Sequence, residues 1–164
     1  LRLRPLGQGD LDPLAAFYAS PRAAFYGGPM PRGDVWRQLA AFAGGWVIRG
    51  YGPWMIDLRE TGESVGLCGP WYPERFPEAE ITWALFEGHT GRGYATEAAR
   101  AALGYAFGPL GWTTAVSCID PENRPSVRLA ERLGARPDYD HPLEDGTVLR
   151  VFRHPAPARE ESAA

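Results

Sequence analysis

The segment "HTGRGYATEA", residues 89–98, places two glycines around an arginine directly ahead of an alanine-rich run. If that run is a helix, its first N–H groups lack backbone partners, and the helix dipole makes that end positive. Gly91 and Gly93 would let successive N–H groups point into one cup, and Arg92 and Thr96 would add side-chain donors. The pattern is typical of a phosphate-binding loop. A glycine-rich turn before a surface helix explains it equally well.

Two familiar nucleotide motifs do not fit this loop. A Walker loop needs four residues between its glycines and a following Gly-Lys-Ser/Thr, which the sequence lacks. A dinucleotide fingerprint needs a third glycine where Thr96 stands, although Asp120 follows at roughly the distance expected of a ribose-binding acid. Too little chain remains for a second mononucleotide-binding half. A nucleotide-binding protein is therefore the least favoured interpretation.

A second polar segment, "NRPSVRLAERLGA", begins at Asn123, directly after a strand-like stretch. Taken alone, it indicates only a helix start, because Asn is a preferred N-cap and Pro125 and Ser126 suit a first helical turn. Together with the glycine loop it indicates more. Two neighbouring parallel strands would each end at a helix N-terminus, and a ligand could lie in the cleft between them.

The elements that must position these segments follow from hydrophobic periodicity and turn residues. Asp10 and Asp34 are predicted N-caps, the second helix is expected to continue through Gly44 and Gly45, and residues 20–33 are expected to be a loop. The element order is β-α-α-β-β-β-α-β-α-β-β, which predicts an α/β (α+β) domain with a mixed sheet of about seven strands. The domain is expected to span residues 1–154, with a disordered tail at 155–164. Strands are predicted over residues 1–6, 54–60, 64–72, 79–87, 113–119, 135–142 and 147–154, and helices over 11–20, 34–47, 95–107 and 120–134.

Composition narrows the classes of partner. The chain has 164 residues and a formal net charge of −3, which argues against a nucleic-acid backbone as the main partner. Cys68 and Cys118 are far apart and outside any CxxC pair, so we expect no metal site and two buried thiols in a reducing compartment. The apolar runs are too short to span a bilayer. A cytoplasmic protein without a membrane partner is expected.

The paired segments "GRGYATEAARAAL" and "NRPSVRLAERLGA" resemble the acyl-CoA-binding core of the GNAT N-acetyltransferases. The resemblance is strongest to the branch that acetylates N-terminal alanine or serine of ribosomal proteins. It extends over "LRLRPLGQGDLDPLAAFYAS", "RGYGPWMIDLRETGESVGLCG" and "EITWALFEG", and so covers nearly all of the chain except the tail. It implies a single-domain GNAT-type fold, with helices on both faces of the sheet and a central parallel strand pair splayed for acyl-CoA.

The resemblance also implies an activity. It implies direct transfer of the acetyl group from acetyl-CoA to a primary amine in a ternary complex, without a metal. The amine would belong to a protein N-terminus or to a small molecule, and a homodimer is one expected assembly.

The resemblance further implies where coenzyme A binds. The pyrophosphate would lie on the loop, although Thr90 replaces the usual Gln or Arg. The pantetheine arm would pair with the edge of the preceding strand, where a free N–H could polarise the thioester carbonyl, and Asn123 would bond the pantetheine. The implied cofactor-binding residues are Gly91, Arg92, Gly93, Tyr94, Ala95 and Thr96 in the loop, Trp83, Ala84 and Leu85 in the strand, and Asn123 and Ser126 at the second helix.

The implied catalytic residues are Glu80 and Ser126. Glu80 would accept a proton from the amine, but a solvated residue at a strand entrance is an equally good interpretation. Many relatives carry a tyrosine as general acid where this chain has Ala130. That role would pass to the Ser126 hydroxyl or to water, or Ser126 only caps its helix. The missing tyrosine keeps a non-catalytic acyl-CoA-binding module as the alternative.

Six aromatic residues are candidates for an acceptor groove, although most aromatic residues belong to the core. Residues 20–33 and 72–78 form the loops expected to set acceptor selectivity. The six aromatic candidates are Phe25, Tyr26, Trp36, Trp54, Trp71 and Tyr72.

Overall fold

The computed structural model describes residues 1–157, so most of the tail expected at 155–164 lies outside the described residues. Within them, the elements follow the predicted order. The strands are β1 (Arg2–Arg4), β2 (Trp54–Asp57), β3 (Ser64–Trp71), β4 (Glu80–Leu85), β5 (Val116–Ile119), β6 (Arg136–Pro142) and β7 (Val148–Arg153). The helices are α1 (Leu11–Ala19), α2 (Arg32–Ile48), α3 (Tyr94–Phe107) and α4 (Arg124–Arg132), with short 3-10 helices at Gln8–Asp10 and Pro21–Tyr26.

The strands form one seven-stranded sheet in the order β1-β2-β3-β4-β5-β7-β6. All neighbours are antiparallel except β4 and β5, which run parallel and pair only at Glu80 and Val116. Because this pair joins the first residues of the two strands, the sheet opens between their carboxyl ends. The expected parallel pair, splayed at the centre of a mostly antiparallel sheet, is confirmed.

Helices cover both faces of the sheet, and side-chain alternation along β4 divides its residues between them. Ile81 and Trp83 pack in the core beneath α3 and α4. Ala84 packs in a second core beneath α1 and α2. The buried face of α3 is built from alanines, among them Ala98 and Ala102, which let the helix lie close to the sheet. The strand that opens towards β5 is thus held from both sides.

Helix α2 continues through Gly44 and Gly45, as predicted. Close packing explains why position 45 is a glycine. A Cβ atom at Gly45 would lie 3.0 Å from the Tyr51 carbonyl oxygen and 3.6 Å from the Trp71 ring. A larger residue would therefore push α2 away from the segment that leads into β2.

Asp10 occupies the N-cap position of α1, as predicted, but its carboxylate makes no capping hydrogen bond, and the predicted Asp34 cap is wrong. The Asp10 carboxylate does not cap α1; it accepts hydrogen bonds from the Gly7 N–H and from the guanidinium of Arg4. Helix α2 begins at Arg32, so Asp34 lies in its first turn and pairs with Arg37 instead. Arg4 gives the Asp10 carboxylate a charged partner from β1, whereas Asp34 is not a cap because Pro31 directly precedes the first residue of α2. The segment 20–33 also differs from a plain loop, because it contains the 3-10 helix Pro21–Tyr26.

A buried ion cluster ties β1 to β2 and β3. The Asp57 side chain is 1% exposed; its Oδ2 lies 2.7 Å from both Arg2 and Arg4, and its Oδ1 accepts the Ser64 hydroxyl at 2.8 Å. Burial alone would raise the pKa of Asp57, but the hydrogen bonds from these partners outweigh it and hold the pKa below its usual value. The carboxylate therefore stays charged at neutral pH.

We expect Asp57→Asn to lower the free energy of unfolding at pH 7 by about 2 kcal/mol, because the buried side chain loses its charge-assisted hydrogen bonds to Arg2 and Arg4, whose guanidinium groups are partly exposed. The folded-state pKa is depressed, so the carboxylate stabilises the protein above its unfolded pKa, and this is lost as the pH falls through the folded pKa. Urea unfolding at pH 7 and pH 3 measures both effects. Asp140→Asn, which breaks an exposed pair with Arg150, is the control and should change stability far less. An equal loss in both variants would contradict the role of the cluster.

Candidate active site

The glycine loop lies between β4 and α3, as expected. Gly91 and Gly93 have φ of +77° and +82°, values that L side chains rarely adopt, and Gly93 is the N-cap of α3. A Cβ atom at either glycine would meet nothing within 4 Å, so the loop faces open space. The N–H groups of the first turn, including those of Tyr94, Ala95 and Thr96, have no carbonyl partner within the helix. The local geometry thus suits an anion.

A cavity of about 260 Å³ opens where β4 and β5 separate. It brings together five of the residues predicted from the sequence: Glu80, Trp83, Ala84, Asn123 and Ser126. Leu85 and the loop residues 91–96 are not part of its lining. Strand β4 connects the two regions, since it runs from Glu80 in the cavity towards the loop.

Two side chains satisfy the backbone groups that are released where the strands part. The Glu80 carboxylate accepts the Cys118 N–H at 2.8 Å. The Ser117 hydroxyl donates to the Ile81 carbonyl at 2.7 Å. An unpaired buried backbone group is costly, so these side chains stabilise the opening in the sheet. Ser117 is not among the residues predicted from the sequence, because nothing in its local sequence signals a missing strand partner.

Glu80 is buried, with 4% of its surface exposed, so the interpretation as a solvated residue at a strand entrance is wrong. Burial raises its pKa from 4.5 to about 7, although hydrogen bonds from Cys118 and Thr82 act in the opposite direction. A carboxylate with a pKa near neutrality can bind and release a proton under ordinary conditions. It therefore has the properties of a general base.

The start of α4 is organised around Ser126. Asn123 caps the helix, since its Oδ1 accepts the Ser126 N–H at 3.4 Å. The Ser126 Oγ lies 3.2 Å from the Trp83 Nε1, which donates to it across the cavity wall. Ala130, at the position where relatives carry a tyrosine, is fully buried in the core and does not line the cavity. No side chain of α4 other than Ser126 therefore offers a hydroxyl to the cavity.

From the sequence alone, Tyr26 is one of six aromatic candidates for an acceptor groove, with no individual role. The 3-10 helix places Tyr26 in the lining of the cavity with Ser126 and Asn123, whose side chains lower the pKa of its phenol. Burial has the larger effect and raises the pKa overall. The partners are about a hundred positions away in the sequence, so no local pattern could have identified them.

The other aromatic candidates divide between the cavity and the remainder of the fold. Phe25 and Trp71 line the cavity with Tyr26. Trp36 is 59% exposed, Trp54 packs on Tyr105 with ring centroids 5.0 Å apart, and Tyr72 lies under the guanidinium of Arg49. These last three residues do not line the cavity.

Both cysteines are free thiols, and burial raises the pKa of each, so both are protonated at neutral pH. Within residues 1–157, no group of three or more His, Cys, Asp or Glu side chains is arranged to hold a metal ion. In the same part of the chain, every helix is too short or too polar to cross a membrane.

Comparisons with known proteins identify the family of the chain. A family model described as an acetyltransferase (GNAT) domain matches residues 1–136. The uncharacterized protein YkkB of Bacillus subtilis is 40% identical over 90 residues, a match that spans 52% of each chain, or about half the length of that relative. The crystal structure of an acetyltransferase from Agrobacterium tumefaciens has a TM-score of 0.86 and 42% identity, and the match covers 94% of this chain and 93% of that one.

A more distant structure shares the fold. An aminoglycoside acetyltransferase in complex with coenzyme A has a TM-score of 0.76 at 19% identity, with 93% of both chains covered. The family model spans most of the sequence, and the Agrobacterium structure matches nearly all of it. The expected family is thus confirmed, and the chain belongs to the GNAT acetyltransferases.

Proposed function

We propose that the protein transfers the acetyl group of acetyl-CoA directly to a primary amine, in a ternary complex, with Glu80 as the base that accepts the amine proton. The observation that carries this proposal is the buried Glu80 carboxylate, whose pKa is about 7, in a cavity at the opening between β4 and β5. A base with that pKa is half ionised near neutral pH, where it both accepts a proton readily and returns it.

The chain's residues fit coenzyme A. Past Glu80, the edge of β4 that faces β5 has no strand partner within the described sheet. The pantetheine amides would pair with that edge at Trp83, Ala84 and Leu85, and a remaining N–H would polarise the thioester carbonyl. The pyrophosphate would lie on the N–H groups at the start of α3. The coenzyme A bound to the aminoglycoside acetyltransferase, which shares the fold, supports this choice of ligand.

The pKa of Glu80 favours amines that lose a proton easily. An α-amine has a pKa near 8 and a lysine amine one near 10.4, so the proton on an α-amine is more easily taken by a group with a pKa of about 7. A protein N-terminus or a small-molecule amine is therefore the proposed acceptor. The aminoglycoside amine used by the distant neighbour belongs to the second of these classes.

An acetylation screen tests the proposal. Acetyl-CoA is combined with N-terminal peptides, aminoglycosides, polyamines and lysine-containing peptides; thiol release is followed, and mass spectrometry identifies the product. We expect acetyl transfer to at least one α-amine or small-molecule amine. Tight acetyl-CoA binding without thiol release across the panel would instead favour the non-catalytic acyl-CoA-binding module, which the loss of a tyrosine at Ala130 keeps as the second candidate. Preference for NAD over coenzyme A in competition would favour the nucleotide-binding interpretation.

A further inference from the structure

Tyr26 is held rigidly at the wall of the cavity. Its ring packs edge-on against Phe17 with centroids 5.5 Å apart. The chain leaves the 3-10 helix through a tight return in which the Gly28 N–H donates to the Ala23 carbonyl at 2.9 Å. A Cβ atom at Gly28 would lie only 2.5 Å from the Ala23 Cβ, so this return leaves no space for a side chain. The position of the phenol is thus set by packing.

Tyr26 lines the same cavity as Asn123 and Ser126, at the start of α4. The side chains of Ser126 and Asn123 lower the pKa of the Tyr26 phenol. The Ser126 Oγ already accepts the Trp83 indole N–H at 3.2 Å, which leaves the Ser126 proton free to point to another acceptor. Two elements, the 3-10 helix and α4, therefore bring a hydroxyl group to the same cavity, although α4 itself lacks a tyrosine.

We propose that the Tyr26 phenol, held beside Ser126 and Asn123, is the proton donor to the departing thiolate of coenzyme A. The role that relatives assign to a tyrosine on α4 would here be carried by a residue from the segment between α1 and α2. This inference rests on the proposed acetyl transfer.

Glu80 and Tyr26 together account for every proton that moves in the proposed reaction. The amine nitrogen bonds to the thioester carbonyl carbon, and one amine proton passes to the Glu80 carboxylate. When the intermediate collapses, the C–S bond breaks with its electron pair on sulfur, and the sulfur takes the Tyr26 proton. The phenolate then recovers a proton from Glu80 through water in the cavity. The net change moves one proton from the amine to the thiol.

The charges around Tyr26 suit this sequence. The Glu80 carboxylate raises the pKa of the phenol, and Arg22, on the same 3-10 helix, lowers it. Once Glu80 has accepted the amine proton, its negative charge is gone and the phenol becomes a stronger acid at the step that needs one. The other titratable or charged groups that face the cavity are Tyr18, Arg75, Cys118, Asp120 and Asp145.

Tyr26→Phe keeps the ring and removes only the hydroxyl. We expect kcat to fall about 30-fold, less than the roughly 100-fold or greater effect of most general acids, because a thiol is already a tolerable leaving group. KM for acetyl-CoA should change by less than about 3-fold, since the pyrophosphate site at α3 is untouched. Tyr105→Phe removes a hydroxyl outside the cavity and is the matched control, with unchanged kcat.

A more acidic tyrosine separates proton donation from packing. Replacing Tyr26 with a fluorinated tyrosine by amber suppression should move the basic limb of the kcat profile to lower pH, because the donor loses its proton earlier. An unmoved limb, or a Tyr26→Phe variant with wild-type kcat, would overturn the inference and leave the proton to Ser126 or water. Ser126→Ala in the Tyr26→Phe background should cost little more than Tyr26→Phe alone if the two act together. A wild-type protein that acetylates no amine would instead contradict the proposed function itself.

Discussion

Gly93→Glu should raise the dissociation constant for acetyl-CoA at least about 100-fold, measured by isothermal titration calorimetry. Gly93 has φ of +82° and is the N-cap of α3, where unpaired N–H groups would receive the pyrophosphate. A carboxylate at this position would occupy the anion site and repel the phosphates. The helix dipole favours a negative charge at its N-terminus, so the loss should appear in binding more than in stability.

Two controls separate charge from backbone strain. Gly62→Glu, in the turn between β2 and β3, adds the same charge at a similar φ of +73°, also with open space around its Cβ. Its acetyl-CoA affinity should match wild type. Gly93→Ala carries the cost of positive φ without the charge, and should lose much less affinity than Gly93→Glu. Unchanged affinity in Gly93→Glu would mean that the phosphates do not lie at the start of α3.

The glycine loop and the parallel strand pair could be predicted because their signals are local. The sequence contains two successive units in which a strand is followed by the start of a helix, now seen as β4 with α3 and β5 with α4. Such a pair of units predicts neighbouring parallel strands whose carboxyl ends lie side by side. The glycines at positions 91 and 93 mark a turn that needs positive φ, and the structure has it at both. These features depend on residues within about ten positions of one another, so one sequence is enough to find them.

The interactions that define the chemistry could not be predicted, because they join distant parts of the chain. Glu80 is buried, and its carboxylate accepts the Cys118 N–H from β5, 38 positions further along the chain. The same residue in a fully paired strand start would be solvated. The sequence predicts that Asp10 caps a helix, but its carboxylate accepts hydrogen bonds from Arg4 of β1 instead of from the first turn of α1. A single sequence does not reveal which of two satisfactory partners a polar group will meet.

Glu80→Gln should lower kcat at pH 7.5 about 100-fold or more, since Gln keeps an oxygen for the Cys118 N–H but cannot accept a proton. The ratio of the wild-type kcat to the variant kcat should rise with pH through about 7, because Glu80 ionises there in the wild-type protein. Deprotonation of the amine substrate affects both proteins and cancels in that ratio. Glu78→Gln, on a carboxylate that pairs with Arg153 just before β4, is the matched control and should leave kcat unchanged. A wild-type pH profile in Glu80→Gln would remove Glu80 from the mechanism.

The same substitution should also change how stability depends on pH, and this gives a test that needs no substrate. The pKa of Glu80 is raised from 4.5 in the reference state to about 7 in the folded protein, so the folded state binds this proton more tightly. Folding stability must then fall as the pH rises between those two values, by about 3 kcal/mol in total. Gln carries no such penalty. The stability of Glu80→Gln relative to wild type, from urea unfolding, should therefore increase by about that amount from pH 4.5 to pH 8. A constant difference would mean that Glu80 is not buried as a titrating base, and a loss of activity in the variant would then need another cause.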